Sequence, residues 1–267
     1  MFAAVFAAAL ALLAPKPATL VAAGDVASCR SSGDEATAAL VAKVPGTVAV
    51  LGDIVYDRGT AAELARCYSP SWGRFRKRTR PALGNHDYGS GSAAPAIAYF
   101  GLPQRSYYSY ELGAWHIVVL NSNCWAVGGC GADSPQGRWL RADLAAHPAR
   151  CTLAYWHHPR FSSGLRGGTE AVASLWNALA DAGADVVLAG HDHHYERFAP
   201  VDGIRSFVVG TGGRSRYPIF GRAAGSEVVD FRTYGVLKLT LRAGGYAWRF
   251  LPAAGGTFRD AGSGRCS

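Results

Sequence analysis

Four apolar runs in this sequence stop at a chemically reactive side chain: "LVAAGD" at Asp25, "AVLGD" at Asp53, "LAYWH" at His157 and "VVLAGH" at His191. Short runs of small and β-branched residues bounded by glycine or polar loops are buried strands. A fifth run, "WHIVVLNSN", ends in polar residues. Stretches with helical spacing lie between several of them, at Glu35 to Ala42, Thr60 to Cys67, Pro135 to Ala146 and Thr169 to Ala182. Strands alternating with helices predict an α/β layered chain. In such layers ligands bind beyond the carboxyl ends of the strands, where loops distant in sequence converge on one rim.

The pattern changes later. "IRSFVVGTGG", "YGVLKLTLRAGG" and "YAWRFLP" are strands joined by glycine turns with no helix between them, and they are expected to form a second, partly antiparallel sheet facing the first. No repeat or linker interrupts the sequence, so residues 19–267 are expected to be one domain after an N-terminal apolar segment, residues 1–18. Hydrophobic residues make up 49% and charged residues 17% of the 267, which excludes a disordered chain. The net charge of +8 suits an anionic partner. Its one dense cluster, Arg74, Arg76, Lys77, Arg78 and Arg80, has a single interleaved aromatic, Phe75, rather than the series that stacks nucleobases, and is expected to be a solvated face.

Phe2 to Ala14 is an apolar run too short for a membrane helix, which needs about 20 residues, but suited to a secretion signal. No basic residue precedes it, and Pro15 and Pro17 blur a cleavage site. Six cysteines without a CxxC pair are expected to be disulfides of a secreted or extracellular protein with no stable membrane partner. Six cysteines allow fifteen pairings; the one expected is Cys29 with Cys67, Cys124 with Cys130 and Cys151 with Cys266.

The strand ends, with "GNHD" at Asn85, His86 and Asp87, supply oxygen and imidazole nitrogen but no thiolate, an inventory suited to Zn, Mn, Fe or Mg. Taken singly, each has an ordinary alternative: a Gly-Asp turn or helix cap, an Asx turn in "GNHD", a buried core histidine at His157. His116 and His147 lie outside every motif and are assigned to packing. In an extended "GHDH", His191 and His193 face the same way while Asp192 faces the other, with His194 left over as a rim or packing residue. Asp53 and Tyr56 are close enough for one turn to present both, and a carboxylate with two oxygens can bridge two cations.

In this order, "GD", "GDIVY", "GNHD", "H" and "GHDH" resemble the calcineurin-type metallophosphoesterases, and Tyr56 with "GHDHHYER" makes the chain most similar to the purple acid phosphatase branch. The resemblance implies an α/β fold, a four-layer α-β-β-α sandwich of two facing mixed sheets flanked by helices. It implies two metal ions: Fe(III) held by Asp25, Asp53, Tyr56 and His193, and Zn, Mn or Fe(II) held by Asp53, Asn85, His157 and His191, with Asp53 as the bridge. The implied reaction is hydrolysis of a small phosphate monoester by a metal-bound hydroxide. His86 would assist the leaving group, and Asp87 would orient His86. The branch usually carries further histidines after the "HxP" motif. This chain has "HHPRFSSGLRGG" there, so His158, Arg160 and Arg166 are the expected substrate contacts, beside His86. A phosphodiesterase or nuclease, with nucleic acid only as substrate, and a secreted binding protein with a vestigial site are the competing expectations.

Overall fold

Two large sheets and one small one take up the strands of this computed structural model, which describes residues 16–267; the run Phe2 to Ala14 lies outside the described residues. In chain order the strands are β1 (Ala18–Ala23), β2 (Ala27–Ser28), β3 (Thr47–Leu51), β4 (Val55–Tyr56), β5 (Thr79–Ala82), β6 (Tyr108–Leu112), β7 (Trp115–Val119), β8 (Cys151–Tyr155), β9 (Val186–Ala189), β10 (Tyr195–Phe198), β11 (Arg205–Val209), β12 (Ser226–Asp230), β13 (Gly235–Arg242), β14 (Gly245–Pro252) and β15 (Ala261–Arg265). The helices are α1 (Gly33–Lys43), α2 (Ala61–Glu63), α3 (Ala94–Phe100), α4 (Pro135–Ala146) and α5 (Ala173–Asp181).

One sheet has the order β15-β14-β13-β1-β3-β5, the other β12-β10-β11-β9-β8-β7-β6. Parallel strands β1-β3-β5 form one side of the first sheet, out to its edge, and β11-β9-β8-β7 the centre of the second, with antiparallel strands beside them. Burial alternates with the two-residue period of a strand. Ile117, Val119, Leu153, Tyr155, Val186 and Leu188 pack with strands β1 and β3 of the other sheet. Val118, Leu120, Ala154, Trp156 and Val187 pack instead with Leu140 of α4 and Leu175, Trp176 and Leu179 of α5. With α1 against β13, the layers are α-β-β-α.

The late strands divide differently from the expectation. β11 joins the sheet of β7 to β9, whereas β13 pairs onto β1 and β14 onto β13. Each half of the sequence therefore contributes to both sheets. Among the helices, α4 has the expected bounds because Ser134 caps it, accepting from Gly137 N at 3.0 Å, with Pro135 in the first turn. The stretch from Thr60 opens with a capping box between Thr60 and Glu63, then widens into a π-helical turn at Leu64–Tyr68. All three expected disulfides are present. No helix among the described residues is long and apolar enough to cross a membrane.

The basic run is largely exposed, as expected, at Arg74, Arg76, Lys77 and Arg80; all but Arg80, which lies in β5, belong to a 3-10 segment, Trp72–Arg78. Arg78 donates to the carbonyls of Val41, Val44 and Gly46, capping the end of α1, and Arg76 lies over the ring of Tyr99. His116 is buried between carboxylates, with Nδ1 2.7 Å from Glu111 and Nε2 2.8 Å from Asp143, and its ring stacks on His147. These contacts agree with the packing role expected of both histidines.

Candidate metal centre

Strand ends deliver the site. Asp25, Asp53, His157 and His191 each lie two residues beyond β1, β3, β8 and β9. Asp25, Asp53 and His191 have positive φ, 60°, 49° and 71°, a left-handed conformation that turns each side chain sharply off its strand. Gly52 (φ 82°) leaves room for the histidine from the next layer, since a Cβ there would stand 2.5 Å from His157 Nδ1; one at Gly84 would collide with the carboxylate of Asp53. Tyr56 is presented not by a turn but by β4, which pairs in parallel with β2 just beyond Asp25.

The side chains meet as acceptors facing acceptors. The Tyr56 hydroxyl lies 2.7 Å from Asp25 Oδ1, 2.7 Å from Asp53 Oδ2 and 3.2 Å from His193 Nε2. His157 Nε2 lies 3.4 Å from Asp53 Oδ2, 3.2 Å from Asn85 Oδ1 and 3.2 Å from His191 Nδ1. One phenolic hydrogen cannot serve two carboxylates at once. Buried carboxylates without enough donors are stabilised by cations, so the residues present fit two metal ions in the ligand sets stated above. Asp53 Oδ1 accepts from His86 N at 2.8 Å, which leaves Oδ2 as the one oxygen facing both sets. Asp53 would be the residue that the two ions hold in common.

Each imidazole is held by its other nitrogen or by its backbone, as ligands must be if their lone pairs are to face one point. His157 Nδ1 donates to the Leu51 carbonyl at 2.8 Å, His193 Nδ1 pairs with Ser215 Oγ at 2.7 Å, and His191 N donates to Asp25 Oδ2 at 2.8 Å. Burial alone would raise the Asp53 carboxyl, but the His157 imidazole outweighs it and holds Asp53 well below the usual carboxylate range. For His157 the balance is mirrored: burial lowers it, and Asp53 more than restores it, leaving the ring above its ordinary value. Burial, reinforced by Asp25 and Asp53, pushes the Tyr56 phenol well up. Without metal it keeps its proton, so loading this set as a phenolate must release one. Burial, then His157, lowers His191 to about 3, which leaves a neutral ring available as a ligand.

The cavity over these groups has a volume of about 130 Å³ and is lined by Asp53, Tyr56, Asn85, His86, Arg166, His191, His193, Arg214, Ser215 and Tyr217. A wider groove of about 770 Å³ along Gly73–Arg80 and Phe100 contains neither a carboxylate nor a histidine.

Several expected roles change. Asp87 does not orient His86: its carboxylate is buried and accepts from Ile54 N and Gly84 N, while His86 Nδ1 donates to the Asp57 carbonyl at 2.6 Å. Arg160 turns away to pair with Glu170 at 2.7 Å and is not in the cavity wall. His158 is also outside that wall; its Nδ1 meets Ser122 Oγ at 2.8 Å and its ring packs on His191. Arg166 and His86 do line the cavity. His191 and His193 share the rim for a different reason than strand alternation, because the segment is a pair of tight bends, with Asp192 N bonded to Gly190 O and His194 N to Asp192 O. Asp192 faces away, accepting from Ser162 Oγ, Arg166 N and Tyr217 OH, and His194 is fully buried on Glu196.

Arg214, Ser215 and Tyr217 were missed from sequence. Tyr217 stacks on His193 and accepts from its backbone N–H at 3.0 Å. The signal was available: "GTGGRSRY" follows β11, which lies beside β9, so the same strand-end rule applies to it.

Comparison with known proteins points the same way. The calcineurin-like phosphoesterase family matches residues 6–195. An uncharacterized protein of Mycobacterium tuberculosis is 28% identical over an alignment of 192 residues, taking in 62% of this chain and 35% of that protein. Purple acid phosphatase 21 of Arabidopsis thaliana is 34% identical over 101 residues, 36% of this chain and 22% of the plant protein. The chain thus spans little more than a third of these relatives' length at most. Among solved structures, purple acid phosphatase PPD1 from yellow lupin (Lupinus luteus) seeds matches with a TM-score of 0.75 at 18% identity, covering 93% of this chain and 53% of that one. GAP50, the anchor in the inner membrane complex of Plasmodium, matches with a TM-score of 0.77 at 15% identity, covering 94% and 90%. At these identities the structures share the fold.

Proposed function

We propose that this chain, which belongs to the calcineurin-like phosphoesterase family, hydrolyses phosphate monoesters, with residues 19–267 as its catalytic domain. The observation that carries this reading is the Tyr56 hydroxyl set 2.7 Å from both Asp25 and Asp53, beside a second set of three nitrogen and oxygen ligands that shares Asp53. Two cations bound there supply an activated water and neutralise charge on the phosphoryl group. The phenol favours iron in the set of Asp25, Asp53, Tyr56 and His193, and Zn, Mn or Fe(II) suits the set of Asp53, Asn85, His157 and His191.

The chain's own residues do the rest. His86, tied through Nδ1 to Asp57, keeps Nε2 for the leaving oxygen and delivers a proton there. Burial lowers the His86 imidazole, so its acid form, and hence turnover, belongs to acidic pH. Arg166 contributes a cation for the phosphoryl oxygens. A cavity of about 130 Å³ suits one phosphoryl group better than a diester backbone, and none of the cations from Arg74 to Arg80 lines it. Three disulfides suit an oxidising compartment, so the protein is read as secreted.

Metal analysis and a visible spectrum of the purified protein test this. About two metal ions per chain, one of them iron, and a broad visible band lost in Tyr56→Phe are expected. A metal-loaded protein with no iron and no band would sink the iron assignment; failure to retain any metal would favour a non-catalytic binding role.

A further inference from the structure

We infer that Arg214 grips the substrate's phosphoryl oxygens and makes the site selective for the dianion of a monoester over the monoanion of a diester, with Asp57 as its positioning residue. This rests on the phosphoesterase reading above. Arg214 is fixed at both ends. Its backbone N–H donates to the carbonyl of Asp25 at 2.9 Å, so it cannot drift from the ligand loop. Its Nη2 donates to Asp57 Oδ1 at 3.0 Å, and its guanidinium lies 5.0 Å above the ring of Tyr56. Among the described residues that is the only side-chain hydrogen bond of Arg214, so one of five guanidinium donors is used and the group lines the cavity with the rest.

Asp57 is anchored in turn. Its second carboxylate oxygen pairs with Arg30, and its carbonyl accepts from His86 Nδ1. One residue therefore fixes the group that grips phosphate and the group that serves the leaving oxygen. Arg166, whose guanidinium has no hydrogen-bond partner among the described residues, enters the same wall from the loop held by Asp192. Two guanidiniums in one small cavity exceed what a single negative charge needs. They match the two charges and three non-bridging oxygens of a monoester, which planar fork donors bind in pairs. A diester offers one charge, two such oxygens and a second ester group that needs room.

The test measures hydrolysis of an aryl phosphate and a bis-aryl phosphate, together with calorimetric binding of inorganic phosphate, by the metal-loaded wild type, Arg214→Met, Arg214→Lys and Asp57→Asn. In Arg214→Met, monoester kcat/KM should fall roughly 10- to 100-fold, mainly through KM, and phosphate binding should weaken by a similar factor, as expected for loss of a charged hydrogen-bond pair. Diester turnover should fall less than about threefold, with metal content unchanged. Arg214→Lys should recover part of the loss, and Asp57→Asn should shift the ratio in the same direction as Arg214→Met. Equal losses on both esters, or unchanged phosphate affinity in metal-loaded Arg214→Met, would overturn the assignment. If the metal-loaded wild type binds phosphate but hydrolyses neither ester, the phosphoesterase reading fails, and the phosphate isotherms still decide for or against Arg214.

Discussion

On β7 and α4, His116 lies between two carboxylates, one ring nitrogen beside Glu111 and the other beside Asp143, and Ser109 donates to the remaining oxygen of Asp143. Each oxygen of Asp143 has a partner, and Glu111 lies open to solvent. At the strand-end rim the same residue types meet differently: two carboxylates compete for the one Tyr56 hydrogen, and the His157 nitrogen faces Asp53, Asn85 and His191 together. Both clusters can be read as possible metal ligands from proximity alone. Counting donors against acceptors separates them, because a network that satisfies itself has no need of a cation and one with surplus acceptors does. Asp34 adds a third outcome. It is buried, Ser71 donates to one of its oxygens, and the other has no partner. Burial pushes its carboxyl up to about 7. Unlike Asp87, whose carboxylate accepts from two backbone N–H groups, Asp34 is a buried acid that keeps its proton.

The largest expected effect is at the rim. Asp53→Ala removes the carboxylate shared by both ligand sets, so turnover should fall by more than roughly a thousandfold with loss of bound metal, read by metal analysis beside the rate. Full metal content in that variant would break the distinction, since the rim would then be another self-satisfied network. His116→Ala should do the reverse. It leaves Asp143 buried without its imidazole and should cost about 3 kcal/mol in urea unfolding, with metal content and rate unchanged; loss of metal would instead make that cluster a ligand site. The smallest effect sharpens the third outcome. Because the folded carboxyl of Asp34 lies above its unfolded value, its contribution is fully present below about pH 4 and is lost as pH rises toward about 7. Asp34→Asn should flatten stability across that window and gain on the order of 2 kcal/mol at pH 7.5, measured by unfolding at both ends. An unchanged slope would mean Asp34 is ionised in the fold.

The rim loops were legible because each is announced locally, by a short apolar run and then a Gly-Asp, Gly-Asn or Gly-His step or, at His157, a Trp-His step. Sheet membership was not, because pairing of β13 with β1 joins residues more than two hundred positions apart and the alternation of β13 does not specify a partner. The exchange of Asp87 for Asp57 at His86 has a similar cause. Adjacency in "GNHD" suggested Asp87, but the 3-10 turn at His86–Tyr88 sends that side chain inward to the backbone of Ile54 and Gly84. Arg214 lacked a motif of its own and was visible only through the position of β11 beside β9.

The left-handed backbone at Asp25 and Asp53 also constrains the evolutionary descent of this sequence. Chemistry asks for a carboxylate at both positions, and the dihedral angle separately asks for one of the few residues that tolerate positive φ, chiefly Gly, Asn and Asp. If selection for metal binding lapsed, the second demand would remain, so substitution would run toward Asn or Gly and not toward the bulky or β-branched residues that fill the neighbouring strands. An inactive descendant would therefore keep the fold and carry its history as Asn or Gly at these two positions.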